Sequence, residues 1–584
     1  MYCKDKDRNP IETISLIRNY LDKMDILVTE QWKVDYTELF SVNLFIRGTN
    51  FYANGKGTSS EYALASGYAE LIERMHNLAL FRFSSTIFDE DDEDFDKNVF
   101  LGSYDDYHRA FSQIVSCIPD DRACEINAND MIAYSKAKHK NNRVKIMKYK
   151  SIMDNEEICV PVNILDYLYG SNGMVAGNTQ QEAYVQGLSE VLERHVTKEI
   201  YSSGHVPPTL DDSLLSQLEN YNDIKFYISQ IEKTQRYKVE LKDMSLGKNI
   251  PAIGLVLYDT SNASYFVKVG AHPNISIAIE RCFTELMQGQ LIDSMRALTD
   301  ISETVVKLRD IGDEPGQVLP VDIAPFPINM FVVGNTHPLI SIRRFNNNFE
   351  MMDFLIDLIY DLGYKIFVRD ATQSDIKVYH FIVPGMSELN NYKYDRLNKG
   401  HIWFEISSMI KDNIATLNEE QARILLENIK AVSFDEMQSM SLLLRNMPFS
   451  EKSIYRNTPI IVFKFRLYLI IKDYKNAYDC LSRYNSHLKK DNKKSMFFDC
   501  YATLLSFLIS GKDMETIFNL LNKFYKLSIV ENVINDFKDY PFINFPNLYC
   551  DNFCDKCTLQ NECFKKNELA IYQKMKNMRS MSHS

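Results

Sequence analysis

Three segments of this chain set carboxylates at helical spacing among alanine and glycine, a pattern that an ordinary hydrophobic core rejects. The first runs N-G-K-G-T-S-S-E-Y-A-L-A-S-G-Y-A-E-L-I-E-R from Asn54 to Arg74. The second runs G-N-T-Q-Q-E-A-Y-V-Q-G-L-S-E-V-L-E-R from Gly177 to Arg194, and the third A-I-E-R-C-F-T-E-L-M-Q-G from Ala278 to Gly289. In the first, Ser66, Glu70, Glu73 and Arg74 fall at i, i+4, i+7 and i+8 and share one helix face. In the second, Glu182, Gln186, Glu190 and Glu193 share a face, with Arg194 beside them. In the third, Arg281, Glu285 and Gln288 recur, with Glu280 adjacent.

Like charges so placed repel one another and resist desolvation. Two arrangements relieve the conflict. One is three solvated surface helices with Glu–Arg pairs. The other is a single site in which several helices share a divalent cation, which takes oxygen ligands. The recurrence of the same face among small residues favours the second. With arginines available for phosphate oxygens, it points to a magnesium–nucleotide site. Gly55-Lys56-Gly57 reads as a turn offering backbone N–H groups to an anion at the head of the first helix. It is not a P-loop, because the G-x-x-x-x-G-K-[ST] spacing is missing. Asn178 and Thr179 are suited to cap the second helix.

The length of 584 residues suggests two to four domains. Strand-like runs at Leu39–Ile46, Phe51–Ala53, Ile158–Ile164, Ala252–Leu257, Tyr265–Val269, Lys365–Arg369 and Val378–Val383 predict an α/β (α+β) domain over residues 1–400. Helical periodicity then predicts an all-α region over 415–535, tetratricopeptide-like or, since no strict repeat is visible, a plain helical bundle, including single helices at Ser453–Lys472 and Met496–Ile509. A cysteine-bearing tail follows over 545–584. The acidic run Asp89–Asp96 reads as a solvated loop. A net charge of −12 argues against broad binding to nucleic acid or anionic membrane, and no direct nucleic-acid signal is present. No apolar run reaches the roughly 18 residues of a spanning helix. Met1–Pro10 is charged and lacks a signal-peptide core, so a cytoplasmic location is expected.

The first 400 residues resemble the YcaO family. The resemblance rests on S-x-x-x-E-x-x-E-R at Ser66–Arg74, E-x7-E-x-x-E-R at Glu182–Arg194 and R-x-x-x-E-x-x-Q at Arg281–Gln288. V-P-V-N-I-L at Val160–Leu165, S-N-G-M-V-A-G-N-T at Ser171–Thr179, Gly270–Pro273 and V-P-G-M-S at Val383–Ser387 agree with it. The resemblance implies an ATP- and Mg²⁺-dependent enzyme, or ATPase accessory factor, that activates a peptide amide by phosphorylating its oxygen. It further implies that Glu70, Glu190 and Glu193 surround Mg²⁺, with Glu285 a further ligand. Ser66, Glu73, Arg74, Asn178, Glu182, Arg194 and Arg281 would hold ATP. A lysine near the amino terminus also reaches ATP in the family, and Lys6 takes that place here, with Lys4 the alternative.

Azoline-forming members of the family often end in a P-x-P-x-P tail, whereas this chain ends R-S-M-S-H-S. The resemblance therefore implies the subgroup with a helical C-terminal extension. That subgroup serves β-methylthiolation of an aspartate in a small-subunit ribosomal protein, as accessory to a radical methylthiotransferase. A peptide or ribosomal-protein substrate and a homodimer are implied with it. Two other readings stay open: a cyclodehydratase or thioamide synthetase for a ribosomally made peptide, and a noncatalytic scaffold.

Of the 11 cysteines, seven are scattered and read as reduced thiols. Cys550, Cys554, Cys557 and Cys563 form C-x3-C-x2-C-x5-C, a spacing that predicts Zn²⁺ or a [4Fe–4S] cluster rather than free thiols or a local disulfide. His195 and His272 fall near the acidic segments, where hydrogen-bonding or packing roles are expected.

Overall fold

Among the described residues, every strand pairing in the computed structural model of the protein is antiparallel. The structure describes residues 5–34, 37–84, 98–118, 144–288, 299–302, 326–389, 394–432, 434–444, 447, 449–490, 493, 495–546, 548, 557, 559 and 563–582. The run Asp89–Asp96 lies outside them. The strands are β1 (Val28–Val34), β2 (Phe40–Ile46), β3 (Tyr52–Gly57), β4 (Val99–Gly102), β5 (Val144–Ser151), β6 (Glu157–Pro161) and β7 (Met174–Gly177). They continue as β8 (Tyr237–Asp243), β9 (Ala252–Asp259), β10 (Ser264–Ala271), β11 (Thr299–Asp300), β12 (Phe367–Asp370) and β13 (Lys377–Ile382). They form three sheets: β1-β2-β3, then β11-β10-β9-β8, then β4-β5-β12-β13-β7 with β6 paired to β5.

The helices of this part are α1 (Pro10–Lys23), α2 (Ser60–His76), α3 (Ala79–Ser84), α4 (Tyr104–Ser116), α5 (Gln180–Ser203), α6 (Tyr221–Glu232), α7 (Ile275–Leu286) and α8 (Asn348–Asp361). The three acidic segments are α2, α5 and α7. Each follows a strand from a different sheet: β3, β7 and β10. Each is capped by a side chain that accepts a backbone N–H of the first turn: Ser59 from Tyr62, Thr179 from Glu182 and Asn274 from Ser276. Each lies close against the strand that leads into it. A Cβ placed on Gly55 would meet the Ala63 carbonyl oxygen at 2.0 Å, one on Gly177 the Ala183 nitrogen at 2.6 Å, and one on Gly270 the Ala278 carbonyl oxygen at 2.5 Å. Only glycine admits these contacts between backbones.

Two expectations are corrected in this region. Gly55-Lys56-Gly57 is no turn but the end of β3, paired in register with Phe40–Val42 of β2. The run Ile158–Ile164 is strand only as far as Pro161, and Val162–Ile164 turn helically.

The helical region contains α9 (Tyr394–Asn413), α10 (Glu419–Val432), α11 (Ile460–Ile470), α12 (Tyr474–Lys490), α13 (Met496–Ile509), α14 (Met514–Phe524), α15 (Leu527–Lys538) and α16 (Lys565–Ser582). The helix expected over Ser453–Lys472 is interrupted. Pro459 caps α11, and Thr458 before it is extended, as the residue preceding a proline prefers. Two cores fill the region, one around Leu425, Phe463 and Phe542 and the other around Leu481, Leu504 and Val533.

Helix α16 leaves that region. Its Ile571, Tyr572 and Met575 join the core formed by Ile14, Leu71, Ile72 and Phe81. The Tyr572 ring meets Phe81 edge to face at 5.1 Å. Asn567 Nδ2 donates to the Gly48 carbonyl at 2.7 Å, and Asn50 N donates to Glu568 Oε1 at 3.3 Å. Among the described residues, no helix is long and apolar enough to cross a membrane.

Candidate functional site

The acidic faces of α2, α5 and α7 converge on one cavity of about 720 Å³, ample for a nucleotide-sized ligand. Helix α2 contributes Ser66, Glu70, Glu73 and Arg74. Helix α5 contributes Glu182, Glu190, Glu193 and Arg194, with Asn178 just before it. Helix α7 contributes Arg281 and Glu285, and Lys6 joins from the amino-terminal segment. The cavity thus gathers all of these sequence-predicted residues. Cys557 and Cys563 pack against the core of the helical region, and Cys550 and Cys554 lie outside the described residues.

One side of the cavity is a hydrogen-bonded network around Glu182. Asn178 Nδ2 donates to both Glu182 oxygens, at 3.1 and 3.0 Å, and Thr13 Oγ1 donates to Asn178 Oδ1 at 2.7 Å. Asp7 N donates to Glu182 Oε2 at 3.0 Å, and Lys6 Nζ stands 3.8 Å from Glu182 Oε1. Arg281 is fixed by its own bonds, donating to the Ala271 carbonyl at 2.8 Å and to Gln186 Oε1.

The other side is strongly charged. Arg74 Nε lies 3.4 Å from Glu73 Oε1, and its Nη2 lies 3.8 Å from Glu70 Oε1. Burial lifts the carboxyls of Glu70 and Glu190 above the ordinary range and Glu73 well above it. Burial, helped by the charges of Glu285 and Glu190, raises Glu193 to about 7. Glu285 goes the other way. Burial opposes its ionisation, but the Lys56 ammonium overrides that and brings it to about 2. Outside this charged side, Glu280 is raised to about 7 by burial and by Asp5.

Lys56 is the residue that sequence reasoning missed. Its Nζ bonds Glu285 Oε1, and it donates to Gln288 Oε1 at 3.0 Å. The period of two in β3 carries the signal. Tyr52, Asn54 and Lys56 line the cavity, while the buried Ala53 and Gly55 alternate with them. Reading Gly55-Lys56-Gly57 as a turn hid that alternation.

His272 accepts a backbone bond from Asn274 N at 3.1 Å, and burial pushes it down to about 3, so the ring is neutral. His195 is buried against the Tyr364 ring. His272 thus serves hydrogen bonding and His195 packing.

Among the described residues, no three carboxylate, imidazole or thiol side chains are drawn together into a metal-ligand set. The carboxylates instead lean on guanidinium groups and on Lys56. The donor set is nevertheless all oxygen, and the Lys56 ammonium already stands among those oxygens as a cation. Both features fit a hard divalent ion, and the arginines fit phosphate oxygens.

The site thus joins three convergent acidic helices and their arginines in an α+β domain. The chain belongs to the YcaO family: the family model described as YcaO cyclodehydratase, ATP- and Mg²⁺-binding, matches residues 54–387. An uncharacterized protein of Haemophilus influenzae is 29% identical over 378 residues, 61% of this chain and 61% of that protein. The chain thus spans less than two thirds of that relative. The ribosomal protein S12 methylthiotransferase accessory factor YcaO of Escherichia coli is 25% identical over 512 residues, 82% of this chain and 81% of that one. Among solved structures, YcaO from Methanopyrus kandleri bound with AMPPCP and Mg²⁺ is 17% identical at a TM-score of 0.41, covering 67% of this chain and 95% of that chain. A heterocyclase in complex with substrate and cofactor is 17% identical at a TM-score of 0.46, covering 66% and 53%.

Proposed function

We propose that the cavity binds Mg²⁺·ATP and that the protein phosphorylates the oxygen of a peptide amide. In this reading it serves, in the cytoplasm and as a homodimer, the β-methylthiolation of an aspartate in a small-subunit ribosomal protein beside a radical methylthiotransferase. The convergence of α2, α5 and α7 on one cavity carries the nucleotide part. The family description supports ATP and Mg²⁺. The name and extent of the Escherichia coli relative support the accessory role.

Glu70, Glu190, Glu193 and Glu285 supply the oxygen ligands. When bound, magnesium neutralises phosphate charge and orients the nucleotide for transfer. Arg74, Arg194 and Arg281 hold phosphate oxygens. Ser66, Glu73, Asn178, Glu182 and Lys6 fix the rest of the nucleotide. The amide oxygen attacks the terminal phosphorus and ADP leaves, so that the oxygen becomes a leaving group. Helices α9–α15 provide a tetratricopeptide-like surface for the partner.

Glu190→Ala and Glu193→Ala are expected to abolish ATP binding, measured by calorimetry, with circular dichroism unchanged. Full nucleotide affinity in both variants would sink the reading. The family description also favours a second one, a cyclodehydratase or thioamide synthetase. Loss of one water, or exchange of oxygen for sulfur, in a supplied peptide distinguishes it by mass spectrometry.

The four clustered cysteines are assigned in the same reading to Zn²⁺ or an iron–sulfur cluster. Cys557 Sγ accepts a bond from Leu559 N and Cys563 Sγ one from Lys565 N, each at 3.4 Å. Backbone amides two residues on thus point at both sulfurs, and hydrogen bonds to sulfur are among the features that tune such clusters. Metal and sulfide analysis after anaerobic purification tests the assignment.

A further inference from the structure

We infer that Lys56 is a tethered cation that keeps a divalent metal out of the carboxylate cluster until the nucleotide arrives. The inference rests on the magnesium–nucleotide reading of this cavity and adds an order of events to it.

The first argument is competition for the same oxygens. Glu285 is a proposed metal ligand, and the Lys56 ammonium is bonded to it. Glu70 and Glu193, two further proposed ligands, are also within the electrostatic reach of that ammonium. A metal that took Glu285 would therefore have to break an ion pair already formed.

The second argument is rigidity at the base of the side chain. Lys56 is in β3, paired with Ser41 of β2. Its neighbours Gly55 and Gly57 lie hard against α2, where a Cβ would come within 2.0 Å of the Ala63 carbonyl oxygen and 2.5 Å of the Ala63 nitrogen. The strand has no room to slide, so only the flexible four-carbon stem moves the charge.

The third argument is where that charge can go. A divalent ion arriving alone would strand a positive ammonium beside itself in a partly dehydrated cavity. A nucleotide changes this, because its phosphate oxygens offer the ammonium a new acceptor as the metal takes Glu285. Metal and nucleotide then help each other to bind, and by linkage the help is reciprocal.

Mn²⁺ binding to the full chain, read by electron paramagnetic resonance, tests this without turnover. Wild type is expected to bind Mn²⁺ at least about tenfold more tightly with a non-hydrolysable ATP analogue than alone. Lys56→Met is expected to bind Mn²⁺ alone at least about tenfold more tightly than wild type, and Lys56→Arg to match wild type. Equal affinity of wild type with and without the analogue overturns the inference and needs no variant, so a Lys56→Met chain that failed to fold would not rescue it. So does a folded Lys56→Met that gains nothing. Absence of Mn²⁺ binding even with the analogue removes the magnesium–nucleotide reading itself, and is distinct from either result.

Discussion

Glu193 and Glu285 share one cavity yet are driven in opposite directions, Glu193 up to about 7 and Glu285 down to about 2. The difference has a measurable consequence. In the magnesium–nucleotide reading the metal takes the ionised form of Glu193, so binding at a pH below about 7 is expected to expel a proton. Affinity is expected to rise as pH rises through that value and then to level off. Glu285 remains ionised throughout and adds no slope. Calorimetry in buffers of different ionisation enthalpy should show proton release on the acid side that fades as the pH rises. At this scale the sequence was informative about identity and silent about state. The spacing of Glu70, Glu73, Glu190 and Glu193 marks a shared face, but their protonation depends on burial and on charges from other helices. Lys56 was hidden for a related reason, since its partners Glu285 and Gln288 lie more than two hundred residues away.

The elements show how the faces are aimed. Each acidic helix starts where a strand ends, with a capping side chain and a glycine that lets helix backbone touch strand backbone. Gly55→Ala forces a methyl group against the Ala63 carbonyl, and backbone cannot yield as a side chain tip can. Destabilisation on the order of 3 kcal/mol is expected, read by denaturant unfolding. ATP affinity should fall as well, because α2 carries Glu70 and Arg74. The helices were legible because caps and spacing are local. The end of β3 was not, because two glycines around a lysine read equally well as a turn. The proline that divides Ser453–Lys472 was in plain view, and its effect on Thr458 follows from local sterics alone.

At the scale of the whole molecule, the division of labour between the amino-terminal and helical parts is crossed by α16. No local pattern in Lys565–Ser582 announces its destination, since pairing between Tyr572 and Phe81 is a contact of long sequence separation. Removing residues 565–584 is expected to uncover Phe81 and the surrounding core and to loosen the hairpin at Gly48 and Asn50. Thermal denaturation should show a lower transition, and hydrogen exchange should show faster opening of β2 and β3. Unaltered exchange there would mean that the helix only decorates the surface.

Translation runs from the amino terminus, and α16 leaves the ribosome after the rest of the core that it completes. The core that holds Leu71 and Phe81 therefore waits, incomplete, while several hundred further residues are made. A nascent chain in that condition exposes apolar surface for many seconds at ordinary elongation rates of about 5–20 residues per second. A core begun early is complete only once α16 emerges, so its folding in the cell depends on what shelters it in the meantime.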